Sequence, residues 1–141
     1  MQKFSITLTD VHEQDGEIMK SSSTLFGTLD HRGTSYTITY TEEDGDFANC
    51  TTTLQVDIPQ KLVVITRAGG PLTSVLTMEE GVRHNCQYDT PYGTFLMGIH
   101  ATEVTSNMCA LGGALTLNYD IDINGSLVST NHLYLSLKEI Y

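Results

Sequence analysis

Tyr88-Asp89-Thr90-Pro91-Tyr92-Gly93-Thr94-Phe95-Leu96-Met97-Gly98-Ile99 is the stretch whose reading decides the fold. A strand end runs into a reversal built on Pro91 and Gly93, and a second strand follows in which Phe95, Met97 and Ile99 alternate with other residues. That is a hairpin pattern. A slip of one residue sends every side chain to the other face, so the loop length can be argued. A four-residue loop, Asp89 to Tyr92, sets Tyr88 against Gly93, Cys86 against Phe95, His84 against Met97 and Val82 against Ile99, and the apolar sets coincide. A five-residue loop would bury Arg83, Asn85 and Gln87 beside the apolar residues without a visible partner, at a high desolvation cost. The four-residue loop is the expectation.

The same period of two recurs on both sides of this hairpin. Phe4, Ile6 and Leu8 alternate with Ser and Thr, Tyr36, Ile38 and Tyr40 alternate with Thr, and the same period sets Leu54 and Val56, then Leu115, Leu117, Tyr119, Ile121 and Ile123, and finally Leu133, Leu135 and Leu137 on one face each. Asp15-Gly16 and Asn124-Gly125 are type I′ turn pairs, and the acidic run Glu42-Glu43-Asp44-Gly45-Asp46 reads as a turn between two pairing strands. Phe4, Ile6, Tyr36, Ile38, Tyr40, Leu54, Val56, Phe95, Met97, Ile99, Leu115, Leu117, Tyr119, Leu133 and Leu135 are the expected core. Between Ile18 and the Leu25/Leu29 pair the phase shifts around Gly27, which predicts a bulge or bend. Val63, Val64 and Ile65 run together as in a strand covered on both faces. Leu72 to Met78 forms another strand, and the small-residue run Thr105 to Gly113 separates two more. About nine or ten strands and no helical stripe make the chain all-β. The short links favour an antiparallel up-and-down barrel of about eight to ten strands, a closure that removes sheet edges. With no repeat or linker, residues 1–141 read as one domain.

Composition narrows the function. The net charge of −10, from 7 basic and 17 acidic residues, repels phosphate backbones and anionic lipid, so neither nucleic acid nor membrane is an expected partner. Three widely spaced cysteines, Cys50, Cys86 and Cys109, form no disulfide framework or zinc signature, and the start of the chain has no secretory pattern. A cytoplasmic location follows as an expectation.

Tyr40-Thr41-Glu42-Glu43, Ile65-Thr66-Arg67-Ala68-Gly69, Tyr88-Asp89-Thr90-Pro91-Tyr92-Gly93 and a glycine-rich entry to Leu115-Thr116-Leu117-Asn118-Tyr119 occur in this order. Together they resemble the YwiB-like family of small bacterial proteins over nearly the whole chain, with Tyr-x-Thr-Pro-x-Gly the most specific element. The resemblance implies a calycin-like barrel, the shape shared by lipocalins and fatty-acid-binding proteins, in a family of unestablished role. Fold alone does not carry function.

The motifs that could carry chemistry are few. Asp120 to Gly125 begins like an EF-hand loop, but strands flank it and Asn131 stands where the bidentate glutamate belongs, so no calcium site is expected. His84, Cys86 and Tyr88 share a face without enough converging ligands for a metal. No nucleophile comes with a base and an orienting group, and no phosphate-cradling loop is present, so catalytic residues, cofactors and metals are all expected to be absent. Tyr40, Glu42, Arg67, Tyr88, Thr90 and Tyr92 remain as candidate ligand-binding residues. An inward arginine could grip a carboxylate, with tyrosines as walls and hydrogen-bond donors; as a brace it would pair with Glu42 or another acid at the barrel rim. The expected function is non-enzymatic binding of a small molecule in the barrel, with anionic and amphipathic molecules among the options, by a monomer or homodimer. The alternative is an interaction or scaffold module with a filled interior, acting through a sheet edge or the surface around Tyr92. An enzyme using the same cavity ranks last.

Overall fold

In the computed structural model, residues 3–42, 49–70 and 73–140 are described, all but the side chain of Thr90. The expected turn at 43–46 and the residue Leu72 lie outside these residues. The strands are β1 (Lys3–Gln14), β2 (Glu17–Arg32), β3 (Ser35–Thr41), β4 (Thr51–Asp57), β5 (Leu62–Ala68), β6 (Thr73–Glu79), β7 (Arg83–Thr90), β8 (Gly93–Cys109), β9 (Gly112–Ile123) and β10 (Ser126–Glu139). Each pairs antiparallel with the next, and β1 closes on β10 from Phe4↔Glu139 to Glu13↔Thr130. The result is an all-β, closed ten-stranded meander barrel, as the alternation and short links predict.

Inward residues fill the middle. Phe4, Ile6, Ile38, Leu54, Val56, Val63, Met78, Ile99, Leu115, Leu117 and Leu135 are buried almost completely, and Met97, Tyr119 and Leu133 pack against them partly exposed. Val64 faces outward and is half-buried, so β5 is not covered on both faces.

The central hairpin differs from expectation in one respect. Its loop is two residues long, with Thr90 opposite Gly93, Tyr88 opposite Phe95, Cys86 opposite Met97 and His84 opposite Ile99. Pro91 presets the φ of the first turn position, and Gly93 takes the positive φ, 134°, that completes the reversal. Because the shift is two residues and not one, face parity is unchanged: His84, Cys86 and Tyr88 share the face of Phe95 and Met97, while Arg83, Asn85 and Gln87 point outward. Arg83 there forks onto Asp122, Nη2 to Oδ1 at 2.7 Å and Nε to Oδ2 at 2.9 Å, which accounts for the charge that could not be buried. Phe95, however, is 50 % exposed and not core, because β9 ends opposite Gly98 and the hairpin overshoots it.

Periodicity misplaced one phase break and missed two. Gly27 is no bulge, since β1 and β2 pair without a register shift from Lys3↔Thr28 to Gln14↔Glu17. It is a close approach: a Cβ there would collide with the Thr39 carbonyl oxygen and lie 2.8 Å from Ile6 Cδ1. The real shifts fall in β8 between Ala101 and Glu103 and in β10 between Leu127 and Ser129. The β8 bulge moves the inward phase from Ile99 and Ala101 to Val104, so Thr105 to Cys109 is strand and not a separating loop. Glu80 secures this bulge by accepting the Val104 N–H at 3.1 Å and pairing with Lys61 at 3.1 Å. The Val104 N–H foremost holds the Glu80 carboxyl below its usual range.

Candidate functional site

A meander sends odd strands one way and even strands the other, so one end of this barrel collects the C-termini of β1, β3, β5, β7 and β9. At that end the inward phase turns polar. Tyr40 lies opposite Thr52, Thr52 opposite Arg67, Arg67 opposite Ser74, and Ser74 opposite Tyr88, a continuous row through five neighbouring strands. Four of the candidate residues thereby come together: Tyr40, Glu42, Arg67 and Tyr88.

Arg67 is the centre. Its Nε is 3.4 Å from Glu42 Oε2, with only 17 % of the arginine and 19 % of the glutamate side chain exposed. Thr52, fully buried, donates its hydroxyl to the same Glu42 oxygen at 2.8 Å. Tyr40 hydrogen-bonds with Thr52 and Arg67, and its hydroxyl pKa is pushed up to about 12, first by burial and then by the Glu42 charge, against the pull of Arg67. Tyr119 is likewise pushed up to about 12 by burial, aided by Asp10 and opposed by Arg67. Both tyrosines stay neutral donors at physiological pH.

Asp10 faces this group from β1. Burial raises its carboxyl pKa above the usual value, while His12 and Arg67 pull it back. His12 Nδ1 stands 3.9 Å from Asp10 Oδ2. The other oxygen, Asp10 Oδ1, and the hydroxyl of Ser74 are buried with no hydrogen-bond partner among the described residues. Natively folded chains rarely leave such atoms unsatisfied. Close by, buried Asn131 donates to Ser129 Oγ at 3.0 Å.

Two candidates do not join. Tyr92 sits at the tip of the two-residue turn, 95 % exposed, because the turn projects it past the barrel end. The Thr90 side chain lies outside the described residues. Conversely, Asp10, Thr52 and Ser74 were not foreseen. A signal existed: Asp10 continues the phase of Phe4, Ile6 and Leu8, Thr52 that of Leu54 and Val56, and Ser74 that of Leu76 and Met78. A polar residue extending an apolar phase is the anomaly to look for.

Elsewhere, His84 Nε2 meets Glu79 Oε1 at 2.9 Å, and Cys86 Sγ accepts the Thr77 N–H at 3.4 Å. Burial raises the Cys86 thiol above its ordinary pKa, the opposite of an activated nucleophile. Among the described residues no three His, Cys, Asp or Glu converge as metal ligands. Grooves of about 240–330 Å³ open on the outside of the wall. One of them, about 330 Å³ and lined by Thr24 to Thr28 and Thr39 to Thr41, reaches the polar group through Tyr40.

Fold and site together define a closed antiparallel barrel with a filled apolar middle and a charged, hydrogen-bonded mouth. The chain belongs to the family described as a domain of unknown function, DUF1934, whose sequence model matches residues 6–135. Among solved structures, the crystal structure of the ywiB protein from Bacillus subtilis is similar at a TM-score of 0.87, with 14 % identity over 99 % of this chain and 93 % of that one. At that identity the likeness speaks for the barrel. No curated protein sequence matches.

Proposed function

We propose that the protein is a non-enzymatic binding barrel whose site is the polar mouth around Arg67. What supports the reading is the pair of buried atoms without partners, Asp10 Oδ1 and Ser74 Oγ, on either side of a largely buried arginine. Leaving a buried donor or acceptor unmade costs about 1–3 kcal/mol, which a ligand supplying the missing bonds would recover. The same atoms describe that ligand. Arg67 is matched by Glu42 and faces Asp10, so a plain anion meets little net positive field. A small molecule that carries a donor for Asp10 and an acceptor or anionic group for Ser74 and Arg67, such as an amino acid or hydroxy acid, fits better. Because the apolar middle is full, long acyl chains are poor candidates.

A location in the cytoplasm accords with the reading. Outward positions such as Thr37, Thr39, Thr53 and Gln55 do not make the apolar band of a membrane barrel. The alternative of an interaction module draws support from the filled middle.

Native mass spectrometry of the protein purified from its own host, beside a thermal-shift panel of small amino and hydroxy acids, tests the binding reading. The expected result is an added mass on the wild type, or a rise in melting temperature with one compound class, that Arg67→Ala abolishes. No adduct and no shift across the panel would leave the mouth a structural feature and sink the proposal.

A further inference from the structure

The inward residues that rim the mouth are polar on β3 to β7. They are polar again on β10, β1 and β2, where Asn131, Asp10 and Ser21 take those places and Met19, near the β1–β2 turn, is the apolar exception. Between these two arcs lie β9 and β8. There the inward phase stays apolar to the strand ends, with Phe95 and Met97 on β8 and Ile121 and Ile123 on β9. The ladder fixes their direction: Phe95 is opposite Tyr88, Met97 opposite buried Cys86, and Ile121 opposite fully buried Ile99. Met97 and Ile121 pack against the core, whereas Phe95 is 50 % and Ile123 40 % exposed. The polar row that contains Arg67 thus runs through Ser74 and Tyr88 straight into a half-open apolar sector. An apolar surface left open inside a polar rim is the mark of a binding surface.

We propose that this sector receives the apolar side chain of the ligand whose polar head is held by Arg67, Asp10 and Ser74. The ligand is then a 2-amino or 2-hydroxy acid with a branched aliphatic or aromatic side chain. The inference rests on the binding reading of the mouth and narrows it. In the wall β8 is two strands from β6, roughly 10 Å along the sheet. A methyl or hydroxymethyl side chain on a head group at Ser74 stops short of that distance, whereas isobutyl and benzyl groups approach the open face of Phe95. Charged side chains are disfavoured, because the four apolar residues offer no hydrogen bond to a desolvated charge. Length is limited as well. Ile99, fully buried, closes the middle below the sector, so the side chain lies on the rim and does not descend.

Burying one methylene raises affinity about fourfold when burial is complete and about twofold on a half-open surface. Leucine, three carbons larger than alanine, should therefore bind about eight- to sixtyfold more tightly. Isothermal titration calorimetry of the full chain with alanine, leucine, phenylalanine and glutamate, and with lactate and 2-hydroxyisocaproate as hydroxy-acid counterparts, reads the side-chain dependence. In at least one series the large apolar member should exceed the small one by that ratio, with glutamate no tighter than alanine. Phe95→Ser and Ile123→Ser, at positions at least 40 % exposed, should each cut the ratio of large to small at least threefold with an unchanged circular dichroism spectrum. The wild-type ratio stands by itself if either variant fails to fold. Binding that Arg67→Ala abolishes but that is equal for the small and large members keeps the polar anchor and overturns the apolar sector. So does a preference for the large member that both serine variants retain. No binding of any compound sinks the anchor and the sector together.

Discussion

Replacing Arg67 by methionine keeps most of the stem and removes the charge from the polar mouth. Exposed ion pairs contribute about 0–1 kcal/mol, whereas removing one partner of a fully buried pair costs about 3–5 kcal/mol. The Arg67–Glu42 pair, with less than a fifth of each side chain exposed, stands between, so about 2 kcal/mol is expected. For a chain of this size each kcal/mol moves the melting temperature by roughly 2–4 °C, giving a drop of about 4–8 °C. A double-mutant cycle with Glu42→Gln, monitored by urea unfolding, should return a coupling of about 1 kcal/mol.

The same variant carries a pH signature. Asp10 has a carboxyl pKa raised by burial and partly restored by Arg67. A carboxyl raised in the folded state favours folding below its unfolded value, and that benefit disappears as pH rises through the folded value. Without Arg67 the Asp10 pKa rises further, so ionising it costs the variant more than the wild type. The deficit of Arg67→Met should be full at neutral pH and shrink toward pH 4, where Asp10 is increasingly protonated. A deficit equal at both pH values would assign the loss to packing of the arginine stem. An unchanged melting temperature with an additive cycle would refute the buried-pair reasoning outright.

Gly27→Ala should destabilise by about 1–3 kcal/mol or more in thermal melts, because the added methyl meets the Thr39 backbone and Ile6, neither free to retreat without opening the wall. In an alkaline ultraviolet titration, Tyr40 and Tyr119, with hydroxyls at about 12, should ionise after the exposed tyrosines. Their raised values favour folding below pH 10, and that benefit, about 2–3 kcal/mol for each, is lost between pH 10 and 12, so unfolding should accompany the late phase. Titration with a thiol-reactive dye should find one fast cysteine, Cys109, and two slow ones, Cys50 and Cys86, in the native protein; fast reaction of Cys86 would contradict its burial.

The architecture was legible where alternation is strict and turns carry their own chemistry, as at Phe4 to Leu8, Tyr36 to Tyr40 and Asn124-Gly125. It failed where one inserted residue changes phase, because Thr102 and Val128 look like any other strand residues until the partner strand shows two residues opposite one. The loop length of the central hairpin failed for a related reason. Registers differing by two bury the same face, so hydrophobicity separates even from odd slips but not two from four.

The site was half legible, and the missing half follows from topology. In an up-and-down barrel the residues that meet at one mouth bracket every second turn: Asp10 before the first, Tyr40 and Glu42 before and Thr52 after the third, Arg67 before and Ser74 after the fifth, Tyr88 before the seventh. Conspicuous side chains such as Arg67 and Tyr88 attract notice alone. Thr52 and Ser74 do not, because the chain is full of strand threonines and serines that face solvent. Only parity counted from the buried end of each strand separates them, and that count places Asp10 on the inward face, with 41 % of its side chain exposed. The same alternation leaves the intervening turns, such as Gly33-Thr34 and Ala110-Leu111, at the opposite mouth, beyond the polar group. Exchanging those turns should therefore alter stability without altering a ligand held at Arg67, whereas shortening the Asp15-Gly16 or Pro91-Tyr92 turns should change both. Ligand-induced melting shifts on such turn variants separate the two ends, and equal loss of binding from either end would place the site elsewhere in the barrel.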